Sequence, residues 1–152
     1  MATPRSTVIP LIAEKIYYSR WFSVSQDQID TFAALTGDNQ WIHQVDAECS
    51  GSPFHAPIAH GLLLVSLAIS LARESGALAD ATWVLYGFDK LRFRAPVKTG
   101  TRIRCLTTVQ GVRQLFGRTL LSARLVMEIE DHTIPAFLAD CLLLNLGQTP
   151  DQ

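Results

Sequence analysis

Two side chains suited to acid–base chemistry on a single water molecule stand close together in the sequence. Asp38 and His43 are separated by four residues, in a segment that begins after Gly37. A carboxylate has an ordinary pKa near ~3.9 and an imidazole one near ~6.5, so both can accept a proton at neutral pH. The pair can therefore hold and activate a water if the segment folds back so that the two side chains converge.

A glycine that follows a histidine supplies a second chemical element. His60 and Gly61 stand near the start of a long apolar run, which predicts a helix that begins at about residue 58. The first turn of a helix carries unpaired N–H groups and a partial positive charge, and Gly61 has no side chain to keep a ligand oxygen away. Acid–base groups opposite such a donor suit the addition of water to a carbonyl-activated double bond, because the N–H can hold the developing enolate oxygen.

Each of these residues also has a purely structural interpretation. Asp38 could satisfy backbone donors after Gly37, and His43 could be a surface or packed histidine. His60 could be an early-helix residue with a structural hydrogen bond, which we favour because the positive end of a helix disfavours a protonated imidazole. The spacing of Asp38 and His43 alone does not decide between these interpretations.

Two helices are predicted to position these residues. Ser25 and Gln28 form a capping box at the start of the first helix, which should end at Gly37. The apolar residues near one face of this helix are Ile29, Phe32, Ala33 and Leu35. The second helix, 58–75, should end at Gly76 and is apolar nearly all round, so other structure must wrap it.

Strand-forming and alternating patterns account for the rest of the chain. The predicted strands are 15–24, 82–97, 101–109, 119–129 and 136–146. Together with the helices they predict an α+β domain in which a curved, mostly antiparallel sheet of about five strands wraps a long central helix.

The composition fits one domain over residues 1–152, with a loose lead-in over 1–12. Basic residues number 13 and acidic residues 14, which argues against broad nucleic-acid or membrane-surface binding. Cys49, Cys105 and Cys141 are odd in number and widely spaced, so neither a disulfide framework nor a structural zinc site is expected. The N-terminus does not resemble a signal peptide, and the apolar run between Pro57 and Arg73 is short for a membrane span. These features predict a reducing, cytoplasmic location.

Three blocks of the sequence resemble the motifs of the MaoC-like (R)-specific enoyl-CoA hydratases. The blocks are FAALTGDNQWIHQVD at residues 32–46, SPFHAPIAHG at 52–61 and YGFDKLRFRAPV at 86–97. The glutamine and tryptophan of TGDNQWIH, and the third block, are similar to the NodN-like branch in particular. The blocks occur in the family's order, and the resemblance covers roughly residues 25–144.

The resemblance implies a hotdog fold that pairs into a homodimer. It also implies a hydro-lyase that reversibly adds water, in the syn sense, to a trans-2-enoyl thioester to give an (R)-3-hydroxyacyl thioester. Asp38 and His43 would hold and activate the water, one of them returning a proton to C2, while the N–H of Gly61 would bind the thioester oxygen. No cofactor is implied, because coenzyme A is part of the substrate. No metal is expected, since the sequence shows no ligand cluster with suitable spacing.

Four further residues are candidates for substrate binding: Gln40, His60, Ser66 and Arg92. Ser66 matches a small polar position of the family motif and could contact Asp38, although a place in the core has about equal weight. Arg92, with Arg94 and Lys98, could meet the phosphates of coenzyme A, although an exposed strand face and turn have the greater weight.

The sequence departs from the family pattern at two positions. Leu85 replaces the asparagine that the NodN-like branch often has before Tyr-Gly, so a polar contact could be missing or the pocket more apolar. His55 stands where the family commonly has glycine or another small residue, so access to the pocket could differ.

Two other functions share the predicted fold. One is an acyl-CoA thioesterase, which would not specifically need the combination of Asp38, His43 and Gly61. The other is a non-catalytic acyl-CoA-binding protein, and the presence of the same three residues argues against it.

Overall fold

The computed structural model of the chain describes residues 15–45, 51–78 and 81–147. Its elements, in chain order, are β1 (Ile16–Tyr18), β2 (Phe22–Ser23), α1 (Gln26–Thr36), a short 3-10 helix (Trp41–His43), α2 (Gly61–Glu74), β3 (Trp83–Phe93), β4 (Arg102–Leu115), β5 (Arg118–Ile129) and β6 (Phe137–Asn145). The predicted lead-in over 1–12 and Cys49 lie outside the described residues.

One antiparallel sheet contains all of these strands. Its order is β1-β4-β5-β6-β3, and β2 also pairs with β4. The turn between β4 and β5 places Phe116 and Gly117 at positive φ, as expected of the two-residue hairpin turns whose twist matches that of the strands. β3 lies at the end of the order, so one of its edges pairs with no strand among the residues that the structure describes.

The core lies between α2 and one face of the sheet. The buried residues of α2 are Leu63, Leu64, Val65, Ala68, Leu71 and Ala72. The inward residues of β5 are buried as the alternation predicted: Leu121, Ala123, Leu125, Met127 and Ile129. Both sets belong to one hydrophobic cluster, so α2 is the centre of the core. The opposite side of α2 remains open in the single chain, because Leu62 is 64% exposed and Ser66 is exposed.

The second helix begins three residues later than the sequence predicts. The amide of Ile58 donates to the carbonyl of Ile42 at 3.0 Å, and the amide of Ala59 donates to the carbonyl of Val97 at 2.8 Å. These two bonds hold the segment in an extended conformation, so the helix begins at Gly61.

The predicted first strand, 15–24, is interrupted. Ser19 is buried between β1 and β2, where its hydroxyl accepts from the amide of Cys105 at 2.9 Å and its own amide donates to the carbonyl of Cys105 at 3.0 Å. A side chain thus takes the place of a backbone acceptor in the sheet, which divides the strand in two. α1 has the predicted capping box and ends at Gly37, whereas Leu35 is 82% exposed and does not face the core.

The long helix packed on a curved antiparallel sheet is the hotdog fold that the resemblance implied. Within the described ranges, no helix is long and apolar enough to cross a membrane. Cys105 and Cys141 are buried free thiols, and burial raises their pKa values to about 11 and about 12. Both thiols therefore stay protonated at neutral pH.

Candidate active site

Two segments hold His43, which ends the 3-10 helix. From the first turn of α1, the side-chain amide of Gln26 donates to the carbonyl of His43 at 2.8 Å. Before α2, the carbonyl oxygen of Ile58 lies 2.7 Å from Nδ1 of His43. Because a carbonyl oxygen can only accept, Nδ1 carries the proton of the neutral ring and Nε2 keeps its lone pair. His43 is buried, and this burial lowers its pKa below the ordinary value, so the ring is neutral near pH 7.

Asp38 follows the glycine that ends α1 and lies at the same cavity as His43. Its Oδ1 accepts from the side-chain amide of Gln40 at 2.9 Å, and this hydrogen bond is the main reason that the pKa of Asp38 is lowered. The carboxylate therefore remains ionised at neutral pH and can accept a hydrogen bond from water. Gln40, predicted to bind substrate, is placed by the structure as the partner of Asp38.

His60 connects the two side chains. Its Nε2 lies 2.9 Å from the carbonyl oxygen of Asp38, and its ring stacks on that of His43 with centroids 3.6 Å apart and planes at 24°. The ring of Phe32 packs against it at 5.0 Å between centroids. The residue is only 3% exposed, and its Nδ1 is buried without a hydrogen-bond partner among the described residues. The structural hydrogen bond that the sequence favoured for His60 is present.

The N–H of Gly61 opens the first turn of α2, and no acceptor within the described residues takes it. A Cβ at this position would stand 2.7 Å from Cζ of Phe93, which ends β3. Phe93 also packs edge-on against Phe137, at 6.0 Å between ring centroids. The missing side chain at Gly61 therefore leaves room for the Phe93 ring, as well as for a ligand at the N–H.

A cavity of about 640 Å³ joins these groups, which is within the usual range for small-molecule sites. Its polar lining includes Asp38, Gln40, His43 and His60. Its apolar lining includes Phe32, Ile42, Phe54, Ile58, Leu62 and Phe93. A few polar groups in an otherwise apolar wall can orient a ligand that is largely hydrocarbon.

The fold also brings together three potential metal ligands that the sequence spacing did not reveal. Asp38, His43 and His60 each have a ligand atom within 4.8 Å of the other two. However, an imidazole nitrogen binds a metal along a lone pair that lies in the ring plane. Two rings stacked nearly parallel direct these lone pairs along separate planes, so they cannot both point at one ion without rotating. The sequence failed to predict that these three side chains form a cluster.

Two predicted substrate-binding residues do not line the cavity. The hydroxyl of Ser66 donates to the carbonyl of Leu62 at 2.9 Å on the exposed side of α2. Arg92 is exposed, and its Nη1 donates to the carbonyl of the preceding Leu91 at 2.8 Å. Arg94, two residues farther along, does line the cavity. The predicted contact of Ser66 with Asp38 is therefore not made in the structure.

The two departures from the family pattern lie outside the cavity lining. Leu85 is on β3 and is 45% exposed. His55 is at φ 58°, in the left-handed region that glycine adopts without steric cost. The resemblance predicts glycine or another small residue at this position, and of these glycine adopts such a conformation without strain.

Three contributors to the site were not identified as functional from the sequence. Gln26 lies inside the predicted capping box, and Phe93 lies inside the third motif block. The sequence therefore drew attention to both residues, but it did not predict what their side chains contact. The carbonyl of Ile58 orients His43 only because its segment is extended rather than helical. Each role depends on two segments meeting in space.

Comparisons with known proteins agree with this architecture. The family model described as MaoC like domain matches residues 8–130. The 3-hydroxyacyl-thioester dehydratase Z of Mycobacterium tuberculosis (strain ATCC 25618 / H37Rv) is 32% identical over 132 residues, which are 86% of this chain and 87% of that protein. Nodulation protein N of Rhizobium leguminosarum bv. viciae is 36% identical over 139 residues, which are 88% of this chain and 85% of that protein. The solved (R)-hydratase from A. caviae, described as involved in PHA biosynthesis, has a TM-score of 0.73 at 20% identity, covering 88% of this chain and 96% of that chain, which shows the shared fold.

Proposed function

Because this chain belongs to the MaoC-like dehydratase family, we propose that it is a hydro-lyase acting as an (R)-specific enoyl-CoA hydratase and, in reverse, as a 3-hydroxyacyl thioester dehydratase. The observation that carries the proposal is the convergence of three groups on one largely apolar cavity. These are the lone pair of His43 Nε2, the ionised carboxylate of Asp38 and the unpaired N–H of Gly61.

The N–H of Gly61 polarises the thioester carbonyl, which makes C3 of the conjugated double bond electrophilic. The negative charge that reaches the carbonyl oxygen on addition at C3 is held by this donor and by the positive end of α2. Water must then reach C3 rather than the carbonyl carbon itself. Addition across the double bond leaves the thioester intact.

His43 Nε2 accepts a proton from the water while the hydroxyl adds to C3, and the carboxylate of Asp38 holds the other hydrogen of the water. The imidazolium that forms is stabilised by Asp38 and by the hydrogen bond from Nδ1 to the carbonyl of Ile58. It then returns the proton to C2. Water and proton come from one side of the substrate, so the addition is syn and gives one enantiomer.

Coenzyme A enters this proposal as part of the substrate, and the reaction needs no further cofactor or metal. Arg94 is the one Lys or Arg side chain that lines the cavity among the described residues, and it is the side chain we assign to the phosphates or the pantetheine arm. We propose that the working form is a homodimer, since the free edge of β3 can pair with a second copy.

The test follows enone absorbance and free thiol together when the protein is given a short trans-2-enoyl-CoA. The product is coupled to an (R)-specific or an (S)-specific 3-hydroxyacyl dehydrogenase. Loss of enone without thiol release, with a product accepted only by the (R)-specific enzyme, is the expected result, and a chelator should not change the rate.

Thiol release as the main event would instead indicate the thioesterase. Binding without turnover would indicate the non-catalytic acyl-CoA-binding protein. An (S) product would mean that the orientation of the substrate against Gly61 is opposite to the one proposed. A panel of enoyl thioesters of different length, on coenzyme A and on acyl carrier protein, then defines the preferred substrate.

A further inference from the structure

His60 takes no part in the reaction as proposed, yet it contacts both the ring of His43 and the main chain of Asp38. It bonds to the main chain of Asp38, stacks on His43 and immediately precedes Gly61. His60 therefore connects the loop that carries Asp38, the ring of His43 and the first turn of α2. His60 is only 3% exposed at this junction, and a polar side chain that is buried to this extent is normally held by hydrogen bonds.

The hydrogen bonds fix the form of each ring. The carbonyl of Asp38 can only accept, so Nε2 of His60 carries the proton and Nδ1 keeps the lone pair. Nδ1 of His60 is buried without a hydrogen-bond partner among the described residues, at the N-terminal end of α2. His43 has the opposite arrangement, with the proton on Nδ1. The two stacked rings are thus opposite tautomers, each fixed by a backbone carbonyl.

The stacked ring also controls what else can contact His43. It covers one face of the imidazole at 3.6 Å between centroids, so water cannot solvate that face. The charged or titratable side chains that face His43 are Asp38, His60 and, across the cavity, Arg94, among the residues that the structure describes. The proton affinity of His43 therefore depends on whether this ring remains in place.

We propose that His60 is a positioning residue with two separable tasks. Its Nε2–H fixes the main chain at Asp38, and its ring keeps His43 dry on one face and oriented toward the water. It need not touch the acyl thioester to do either. The expected changes in kcat and in its pH profile rest on the proposed function. The tautomers of the two rings and the titration of His43, measured by NMR, do not depend on it.

Two substitutions separate the tasks. His60→Phe keeps a planar ring against His43 and removes the donor to Asp38. His60→Gln keeps a side-chain N–H that can reach the Asp38 carbonyl and removes the stacked ring. His132→Gln is the matched control, because His132 is exposed and lies in the turn between β5 and β6.

For His60→Phe we expect kcat to fall roughly 10- to 100-fold, the scale of a small displacement of a reacting group, with the acid limb of the pH profile moved less than in His60→Gln, because the stacked ring still excludes water from His43. For His60→Gln we expect a smaller fall in kcat, and the acid limb should move up toward the ordinary imidazole value as water reaches His43. His132→Gln should match the unmodified enzyme. A histidine with only a structural role would lower thermal stability in both variants. In that case kcat and the acid limb of the pH profile would be unchanged in both, which would refute the proposal.

Ring nitrogen NMR of the unmodified protein tests the same geometry without substitution. With four histidines in the chain, single variants at His55 and His132 assign the signals. The expected result at neutral pH is a proton on Nε2 of His60 and on Nδ1 of His43, and His60→Gln should raise the midpoint of the His43 titration more than His60→Phe does. The reverse tautomers, or a His43 titration that ignores both variants, contradict the proposal even if hydratase activity is found. If the enzyme hydrates no enoyl thioester but the tautomers and the shift are observed, the proposed function fails and the role of His60 stands.

Discussion

Asp38 and His43 lie on one loop, yet their surroundings prepare them for different tasks. Burial lowers the pKa of His43 and keeps the ring neutral, whereas the side-chain amide of Gln40 lowers the pKa of Asp38 and keeps the carboxylate charged. One residue is thus a proton acceptor with a free lone pair, and the other is a fixed negative charge. In the proposed mechanism, this difference favours His43 for the proton transfers and Asp38 for holding the water.

Removing either side chain should lower kcat and leave the fold intact. Asp38→Asn or His43→Gln is expected to lower kcat by roughly 10²- to 10⁴-fold, the usual scale for loss of an acid–base group, with the circular dichroism spectrum unchanged. Asp131→Asn and His132→Gln make the same chemical changes in an exposed turn and should leave kcat as it is. Near-normal turnover by an Asp38 or His43 variant would remove that residue from the mechanism.

The pH dependence follows from the direction of the His43 shift. The ring must be neutral to accept a proton, and its pKa lies below the ordinary 6.5. The acid limb of kcat/KM should therefore have its midpoint below 6.5. The free energy of unfolding should also fall as the pH falls through this range, because His43 takes up a proton at a higher pH in the unfolded chain than in the folded one. His43 contributes stability that is complete above pH 6.5 and is lost as the pH falls toward its folded pKa. An acid limb above 6.5 would contradict the assignment of His43 as the base.

His55 illustrates a backbone cost at a single residue. Its φ of 58° costs a non-glycine residue about 1–2 kcal/mol, whereas glycine pays about 0.5–1 kcal/mol in unfolded-state entropy. His55→Gly is therefore expected to raise the free energy of unfolding by up to about 1 kcal/mol in urea titrations. His55→Ala keeps a Cβ in the same conformation and should bring no such gain. Equal stabilities of the two variants would show that the conformation is not strained.

At the scale of elements, sequence patterns predicted the helices and strands correctly wherever a segment's own residues determine its structure. The capping box at Ser25, the stop at Gly37 and the alternation of β5 were predicted correctly. The start of α2 was predicted three residues early, because the amides of Ile58 and Ala59 bond to other segments. The roles of Asp38, His43 and Gly61 were inferred from family motifs, and their spacing alone did not decide between a functional and a structural reading. The stacking of the two histidines could not be predicted, since their rings meet only after the chain has folded.

The junction of α2 and β3 offers a test at this scale. Gly61→Ala keeps the N–H but places a methyl group 2.7 Å from the Phe93 ring, so the ring must move. We expect kcat/KM to fall roughly 10- to 100-fold, as for a small displacement near the reacting atoms. Adding Phe93→Leu should restore part of the loss, because it removes the part of the ring that collides, and Phe93→Leu alone is the control. No restoration in the double variant would place the obstruction in the ligand site itself.

At the scale of the whole molecule, one edge of β3 pairs with no strand among the residues that the structure describes. Val84, Leu85 and Tyr86 are 44 to 51% exposed along this strand, and no described strand covers its edge. An open apolar edge promotes pairing with another chain. We expect light scattering to give the mass of two chains, and Leu85→Lys to shift the equilibrium toward one chain. A single-chain mass for the unmodified protein at micromolar concentration would count against the homodimer.

The strand order also determines when the site can form during folding. β4, β5 and β6 follow one another in the chain and pair as neighbours, so their contacts close short loops and should form early. β3 reaches the sheet by pairing with β6, which joins Trp83 to Asn145 and closes a long stretch of chain. Phe93 and Arg94, which line the cavity, come into place only with that closure. We expect the transition state for folding to contain the three-stranded meander but not the catalytic cavity, so substitutions in the cavity should act mainly on the unfolding rate.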